Sequence, residues 1–146
     1  MRITAKGRYA LLAMLDLSLV AVGPVSLGSI AERQNIPQNY LEQVFAGLRK
    51  AGLVTGVKGA QGGYTLARPA SQITAGQVLR VVEGEFWPVG EVMASEDGVG
   101  AYVVLHELVF DPMRACMNDL LDGLSLGFLA GEFNKRQKGI GAMYYI

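Results

Sequence analysis

The first fifty residues alternate helical apolar patterns with turn signals. Residues 7–20, GRYALLAMLDLSLV, place Tyr9, Leu11, Leu12, Leu15 and Leu19 at spacings of mainly three and four, which predicts a helix. Gly23-Pro24 ends it, and a short extended segment begins at Val25. Ser26 or Ser29 can cap a second helix to about Gln34, with Ile30 and Ala31 turned inward. Asn35-Ile36-Pro37 reads as a turn, and Pro37 suits the start of a third helix running to Lys50. Tyr40, Leu41, Val44, Phe45 and Leu48 form the apolar stripe of that helix, and Gly52 is a natural left-handed cap.

The period then changes. LVTGVK and YTLAR are β-prone and flank Gly59-Ala60-Gln61-Gly62-Gly63, the signature of a hairpin. Three short helices followed by a hairpin form the layout of a winged helix-turn-helix. After Pro69, Thr74 caps a further helix, AGQVLRVVEG, with Val78, Leu79, Val81 and Val82 as its inner face. Residues 84–101 form a polar, glycine-containing loop with Trp87 and Pro88, long enough to suggest a function or disorder. From Tyr102, the residues Leu105, Leu108, Val109, Met113, Met117, Leu120, Leu121, Leu124 and Leu126 predict a long helix that Pro112 kinks or delays. Such an apolar helix outside the globular part reads as a dimer interface; the alternative is that it packs back on its own domain. The fold expected is mainly α with a small β-hairpin. A winged helix-turn-helix occupies 1–83, a sensor or ligand loop 84–101, a dimerisation helix 102–130 and a loosely ordered tail 131–146.

Composition narrows the setting. The 146 residues are 51% apolar, enough for one compact domain with an arm. No apolar run is long enough for a membrane span, and the charged start lacks an export-signal core. The single cysteine, Cys116, forbids an intrachain disulfide, so the cytoplasm is the expected location. The net charge of zero hides a split: residues 1–70 carry eight Lys/Arg against three Asp/Glu, and the remainder has the opposite surplus. That asymmetry points to a polyanion at the N-terminal end.

Catalysis finds little support in one histidine, one cysteine and a glycine-rich segment that joins two strands rather than opening a helix. Glu96-Asp97 lies in a polar loop and reads as solvated. DNA binding explains the charge split and the wing together. The third helix would lay Gln38, Asn39 and Gln43 against adenine edges, while Glu42 accepts from cytosine. Tyr40 suits a phosphate or a contact with the core. Lys58, beside Gly59, Gly62 and Gly63, suits phosphate or minor-groove contact, and Arg2, Lys6, Arg8 and Arg49 would neutralise phosphates.

The runs MRITAKGRYALLAMLDLSL, SIAERQNIPQNYLEQVFAGLRKAGLV, KGAQGGYTLARP and ITAGQVLRVVEG closely resemble the IscR/NsrR/CymR family of bacterial regulators. The resemblance is dense over residues 1–84 and continues as a helical pattern to about 130. It implies a homodimer on a palindromic operator in double-stranded DNA, with the long C-terminal helix crossing to the partner. It also implies DNA contacts from Gln38, Tyr40, Glu42, Gln43 and the wing from Lys58 through Gln61 to Gly63. Many members hold a 2Fe-2S or related cluster on three loop cysteines, and IscR-like members add a histidine. Here residues 84–115 contain no cysteine, and Cys116 falls within the predicted helix, where it reads as a packed small hydrophobe. His106 stands where the IscR-like histidine is expected and is the candidate metal ligand; the alternative is a partly exposed helix residue. Ala94 and Ala101 sit in the loop as if replacing cysteines. Glu91, Glu96 and Asp97 are too hard to complete a sulfide cluster's ligand set.

Two subtypes follow from the resemblance. One is an IscR-like regulator of iron–sulfur biogenesis genes in cluster-free form, suggested by His106 and the loop. The other is the cluster-free CymR type, which regulates cysteine metabolism and binds cysteine synthase, suggested by the terminal Met143-Tyr144-Tyr145-Ile146. The reading leans to the first.

Overall fold

The computed structural model describes residues 3–20, 22–85 and 100–144. Helix α1 (Ala5–Leu19) is capped by Thr4, α2 (Leu27–Gln34) by Ser26, and α3 (Gln38–Lys50) starts directly after Pro37. Of the two serines considered as caps, Ser26 accepts the amide of Ser29, and Ser29 donates its hydroxyl back to the Ser26 carbonyl. Asn35 ends α2 in the left-handed conformation, one of the few side chains that tolerates it. Strands β1 (Val54–Val57) and β2 (Gly63–Leu66) pair antiparallel, and a short 3-10 turn (Ala70–Gln72) leads into α4 (Ala75–Glu83). Thr74 and Gln77 close a complete capping box on α4.

The wing has a third, one-residue rung. Val25 and Tyr64 exchange both backbone hydrogen bonds, at 2.9 and 2.8 Å. This approach needs a glycine beside Tyr64: a Cβ on Gly63 would lie 2.3 Å from the Val25 carbonyl oxygen, and its φ is +155°. Tyr64 also sets its ring 5.0 Å from Phe45, so the hairpin is tied to α3 as well as to the α1–α2 link.

The core is built from Ala10, Ala13, Met14, Leu17, Ile30, Leu41, Val44, Phe45, Leu48, Ile73, Val78 and Leu126. The stripe of α3 is as expected, apart from Tyr40, which is 40% exposed. The stripe of α1 is not. Gly7, Ala10, Ala13, Met14 and Leu17 face inward, while Leu11, Leu15 and Leu19 are half-buried and Leu12 is exposed. A helix with leucines at Leu11, Leu12, Leu15, Leu17 and Leu19 offers more than one apolar stripe, and the one with small residues lets α3 and α4 approach closely.

One polar group lies inside. Asp16, 4% exposed, accepts a bidentate pair from Arg33 at 3.0 and 2.7 Å and a third bond from the Gln34 amide at 2.8 Å. This fastens α2 to α1. Burial pushes the Asp16 carboxyl up, but the bonds from Arg33 and Gln34 and the guanidinium charge outweigh it, leaving it below 3.8.

The C-terminal part departs from expectation. A single helix over 102–130 was expected; instead α5 (Ala101–Leu105) runs through a π-helical turn (His106–Phe110) into α6 (Asp111–Asp122). Pro112 has no N–H for the Leu108 carbonyl, and its ring crowds that turn, which accounts for the widening before it. The helix stops at Gly123. Ser125 then pairs with Thr74 in an isolated bridge and accepts the Phe128 amide, starting α7 (Leu126–Tyr144). Residues 131–144, expected to be loose, continue α7 because Leu126 and Ala130 anchor it in the core beside α1.

The Asp16 contribution to stability is full above the ordinary carboxylate pKa and is lost as pH falls through the lowered folded value. Arg33→Ala, which strands a buried carboxylate, should cost about 3–5 kcal/mol. Asp16→Ala frees an Arg33 that is already 46% exposed and should cost only about 2–3 kcal/mol. Urea unfolding of the two variants at neutral pH checks the order; equal losses would mean that the carboxylate gains little from its partners.

Candidate nucleic-acid interface

The buried face of α3 determines what its other face presents. With Leu41, Val44, Phe45 and Leu48 inward, Gln38, Asn39, Glu42 and Gln43 are all exposed, over the first turn and a half of the helix. Neutral amides and one carboxylate at this end of a protruding helix can donate to and accept from base edges in a major groove. Tyr40 lies beside them, its ring edge-on to Tyr9 at 5.6 Å, so it braces α3 against α1 while keeping 40% of its surface open.

Two clefts lie along the hairpin, and the first is basic. Arg49, in the last turn of α3, and Lys58, at the end of β1, line one groove with Gly56, Val57, Gly63 and Tyr64. Gln61 and Gly62 of the wing tip line a second cleft with Ser26 and Ser29 at the start of α2 and Arg33 in its last turn, whose guanidinium is paired with Asp16. Arg8 is exposed on α1 and donates to the Ile3 carbonyl at 3.4 Å, while Lys6 is half-buried. Arg2 lies outside the described residues.

The wing glycines are explained by the chain itself. A Cβ on Gly62 would stand 2.3 Å from the Val57 carbonyl oxygen, which closes the hairpin, and Gly63 is held by Val25. Gly59, with φ of +115°, has open space around it. Hairpin closure therefore demands glycines 62 and 63 before any ligand is considered.

The sequence reading missed two clasps that hold this surface in place. Thr4, the α1 cap, donates its amide and its hydroxyl to Glu83 at the end of α4. Arg80 of α4 grips Asp122 at 2.7 and 2.8 Å and Asn118 at 3.0 Å on α6. The Asp122 bond raises the Arg80 pKa, and the same bond holds the Asp122 carboxyl low. Both clasps join residues about forty or more positions apart, which periodicity does not reveal.

The candidate metal ligand lies elsewhere. His106 sits in the π-helical turn, 17% exposed, with its ring 5.6 Å from Tyr102 and 5.7 Å from Phe110 and its Nδ1 3.5 Å from Asp111. Cys116 is exposed on α6 rather than packed, while the hydrogen bonds that tie α6 to α4 come from Asn118 and Asp122 further along the helix. Among the described residues no three His, Cys, Asp or Glu side chains converge as a metal site. Trp87, Glu91, Ala94, Glu96 and Asp97 fall outside the described residues, and so does Ile146. Ala101 is the first residue of α5.

Residues 3–132 match the Rrf2 family, described as iron-dependent transcriptional regulators. The chain belongs to the Rrf2 family. It is 42% identical to the regulator IscR of Aliivibrio salmonicida over 130 residues, 88% of this chain and 77% of that one. It is 38% identical to the regulator CymR of Bacillus subtilis over 147 residues, the whole of both. The solved structure of B. subtilis CymR, described as the global cysteine regulator, superposes with a TM-score of 0.76 at 37% identity, covering 90% of this chain and 98% of that one. IscR of T. potens gives 0.75 at 38%, covering 94% and 91%. This Rrf2 chain is thus a transcriptional regulator of winged-helix fold and not an enzyme. None of its described helices is long and apolar enough to cross a membrane.

Replacing Gln43 by Ala should cost about 1–3 kcal/mol on the preferred DNA sequence and relax choice at one base pair. Lys58→Ala should weaken all sequences evenly and lower the slope of log K against log salt by about 1. Fluorescence anisotropy over operator variants and salt separates the two; a change of sequence preference in Lys58→Ala would make the wing a base reader.

Proposed function

We propose that this Rrf2 chain is a homodimeric, sequence-specific DNA-binding regulator that works without an iron–sulfur cluster. The observation that carries the DNA reading is the opposition of faces on α3: four apolar side chains buried, and Gln38, Asn39, Glu42 and Gln43 all presented outward. The basic groove of Arg49 and Lys58 beside them supplies phosphate contacts. Double-stranded DNA with two related half-sites is the ligand, with Arg8, Lys6 and Arg2 close to the backbone.

The dimer reading rests on a second surface. Val104, Leu105, Leu108, Val109, Met113 and Leu120 are exposed along α5, the π-helical turn and α6, with Leu108 at 71% and Leu120 at 61%. An apolar stripe of this length on a soluble regulator marks a partner surface. A second copy of the same helix offers the matching stripe, and two-fold pairing suits a palindrome. Leu108→Asp combined with Leu120→Asp should halve the mass seen by light scattering and reduce operator affinity at least about tenfold. A persisting dimer would move the interface off this helix.

The donor set does not fit a cluster. Clusters of this kind are held by three or four thiolates, or by two with two histidines, and the whole chain has one cysteine and one histidine. His106 is accounted for by its packing against Tyr102 and Phe110 and its approach to Asp111. Iron and sulfide analysis after anaerobic reconstitution should therefore find neither; a stable chromophore would overturn the cluster-free reading.

That packing weakens the IscR-like assignment to iron–sulfur biogenesis genes, which leaned on His106. A CymR-like role in cysteine metabolism, with cysteine synthase engaged through the C-terminal end, is the second reading, favoured by the missing thiolates. Titration calorimetry of the chain with cysteine synthase discriminates them: binding that is lost on removing Ile146 supports the second reading, and no binding supports the first.

A further inference from the structure

We infer that Arg80 is a positioning residue that fixes the angle between the dimer arm and the DNA-binding unit, and so sets which half-site spacing the dimer accepts. The inference rests on the dimer reading above and adds a specificity determinant far from α3.

The hydrogen bonds that tie the arm to α4 lie at one end of it. Ala101–Asp122 is about 30 Å long at helical rise. Its described contacts with the winged helix gather at its last turns, where α6 meets α4. Beyond Asp122 the chain turns at Gly123, and the link to α7 is held by backbone pairs: Ala75 donates to the Leu124 carbonyl and Leu126 to the Ile73 carbonyl, both at 2.8 Å. Those bonds fix the position of the pivot but leave rotation of α6 about it to side chains.

Arg80 supplies that restraint. Its guanidinium bridges one turn of α6 by holding both oxygens of Asp122 and the Asn118 carbonyl oxygen four residues earlier. A planar fork fixed at three acceptors resists both tilt and roll, which a single bond cannot do. Space is kept for the clasp: a Cβ on Gly76 would stand 2.3 Å from the Asp122 carboxylate oxygen. The fork is only half-hidden, with Arg80 at 23% and Asp122 at 46% exposure, so it adds little to folding compared with the core. Its effect is directional. A tilt of about 7° at the base moves the far end of a 30 Å arm by about 3.4 Å, the rise of one base pair.

The same guanidinium also meets Glu85, 3.8 Å from its Nε, immediately before the segment that links α4 to the arm. One side chain of α4 thus meets both the arm and Glu85, just beyond the end of its own helix.

The test begins by selecting a palindrome from random duplex DNA with the parent chain, then inserting or deleting one base pair between its half-sites. The parent should lose about tenfold or more in affinity for each change. Arg80→Gln and Asp122→Asn, each checked for dimer mass and circular dichroism, should bind the spacing variants within about threefold of one another while keeping the base preferences within each half-site. Asp122→Asn keeps the side-chain volume and the Asn118 bond, so it reports on the clasp even if Arg80→Gln fails to fold. A folded dimeric variant with the parent's spacing profile would overturn the proposal. A parent that binds DNA as a monomer would instead overturn the dimer reading on which it rests.

Discussion

The helix-turn-helix depends on one carboxylate taken out of water. Asp16 sits on the inner face of α1 among Ala13, Met14 and Leu17 and is the buried charged residue among those described. Left unpaired it would be expelled or protonated, so α2 must bring Arg33 and Gln34 to it. The apolar contacts among α1, α2 and α3 tolerate small slides, but three directed bonds do not. Once α2 is fixed on α1, the left-handed Asn35 and Pro37 launch α3 in one direction, and its buried stripe decides which residues face out. The exposed row of Gln38, Asn39, Glu42 and Gln43 is a consequence of that sequence of constraints.

A second set of constraints works at α4. Its last turn holds two different parts of the chain: Glu83 accepts from the N-terminal cap of α1, and Arg80 donates to the end of α6. Val78 and Leu79, just before them, are buried. A short helix thus joins α1 to α6, the helix that bears the exposed apolar stripe.

Much of this was legible in the sequence, and the limits have physical reasons. Helices announced by caps and turn residues, such as Ser26, Thr74 and Pro37, lie where the pattern puts them, and the hairpin follows from its glycines. The inner face of α1 was not legible, since leucines on more than one side leave the choice of stripe to neighbouring helices. The break after Asp122 was masked by Leu124 and Leu126, which extend the helical period across Gly123 although Ser125 starts a new helix. The continuation of α7 was hidden by its glycines and lysines; its anchoring by Leu126 and Ala130 is tertiary. Among side chains, the exposed amides of α3 could be read from the complementary apolar stripe. The clasps of Asp16 and Arg80 could not, although a lone aspartate inside MLDL was a signal that a buried partner was needed.

The central claim is that two copies present α3 to successive major grooves of one duplex. Hydroxyl-radical footprinting on the selected sequence tests it most directly. The account predicts two symmetric protected patches about 10 base pairs apart, or a multiple of that, centred on the two-fold axis of the palindrome. A single patch, or protection that follows the backbone without symmetry, would contradict it.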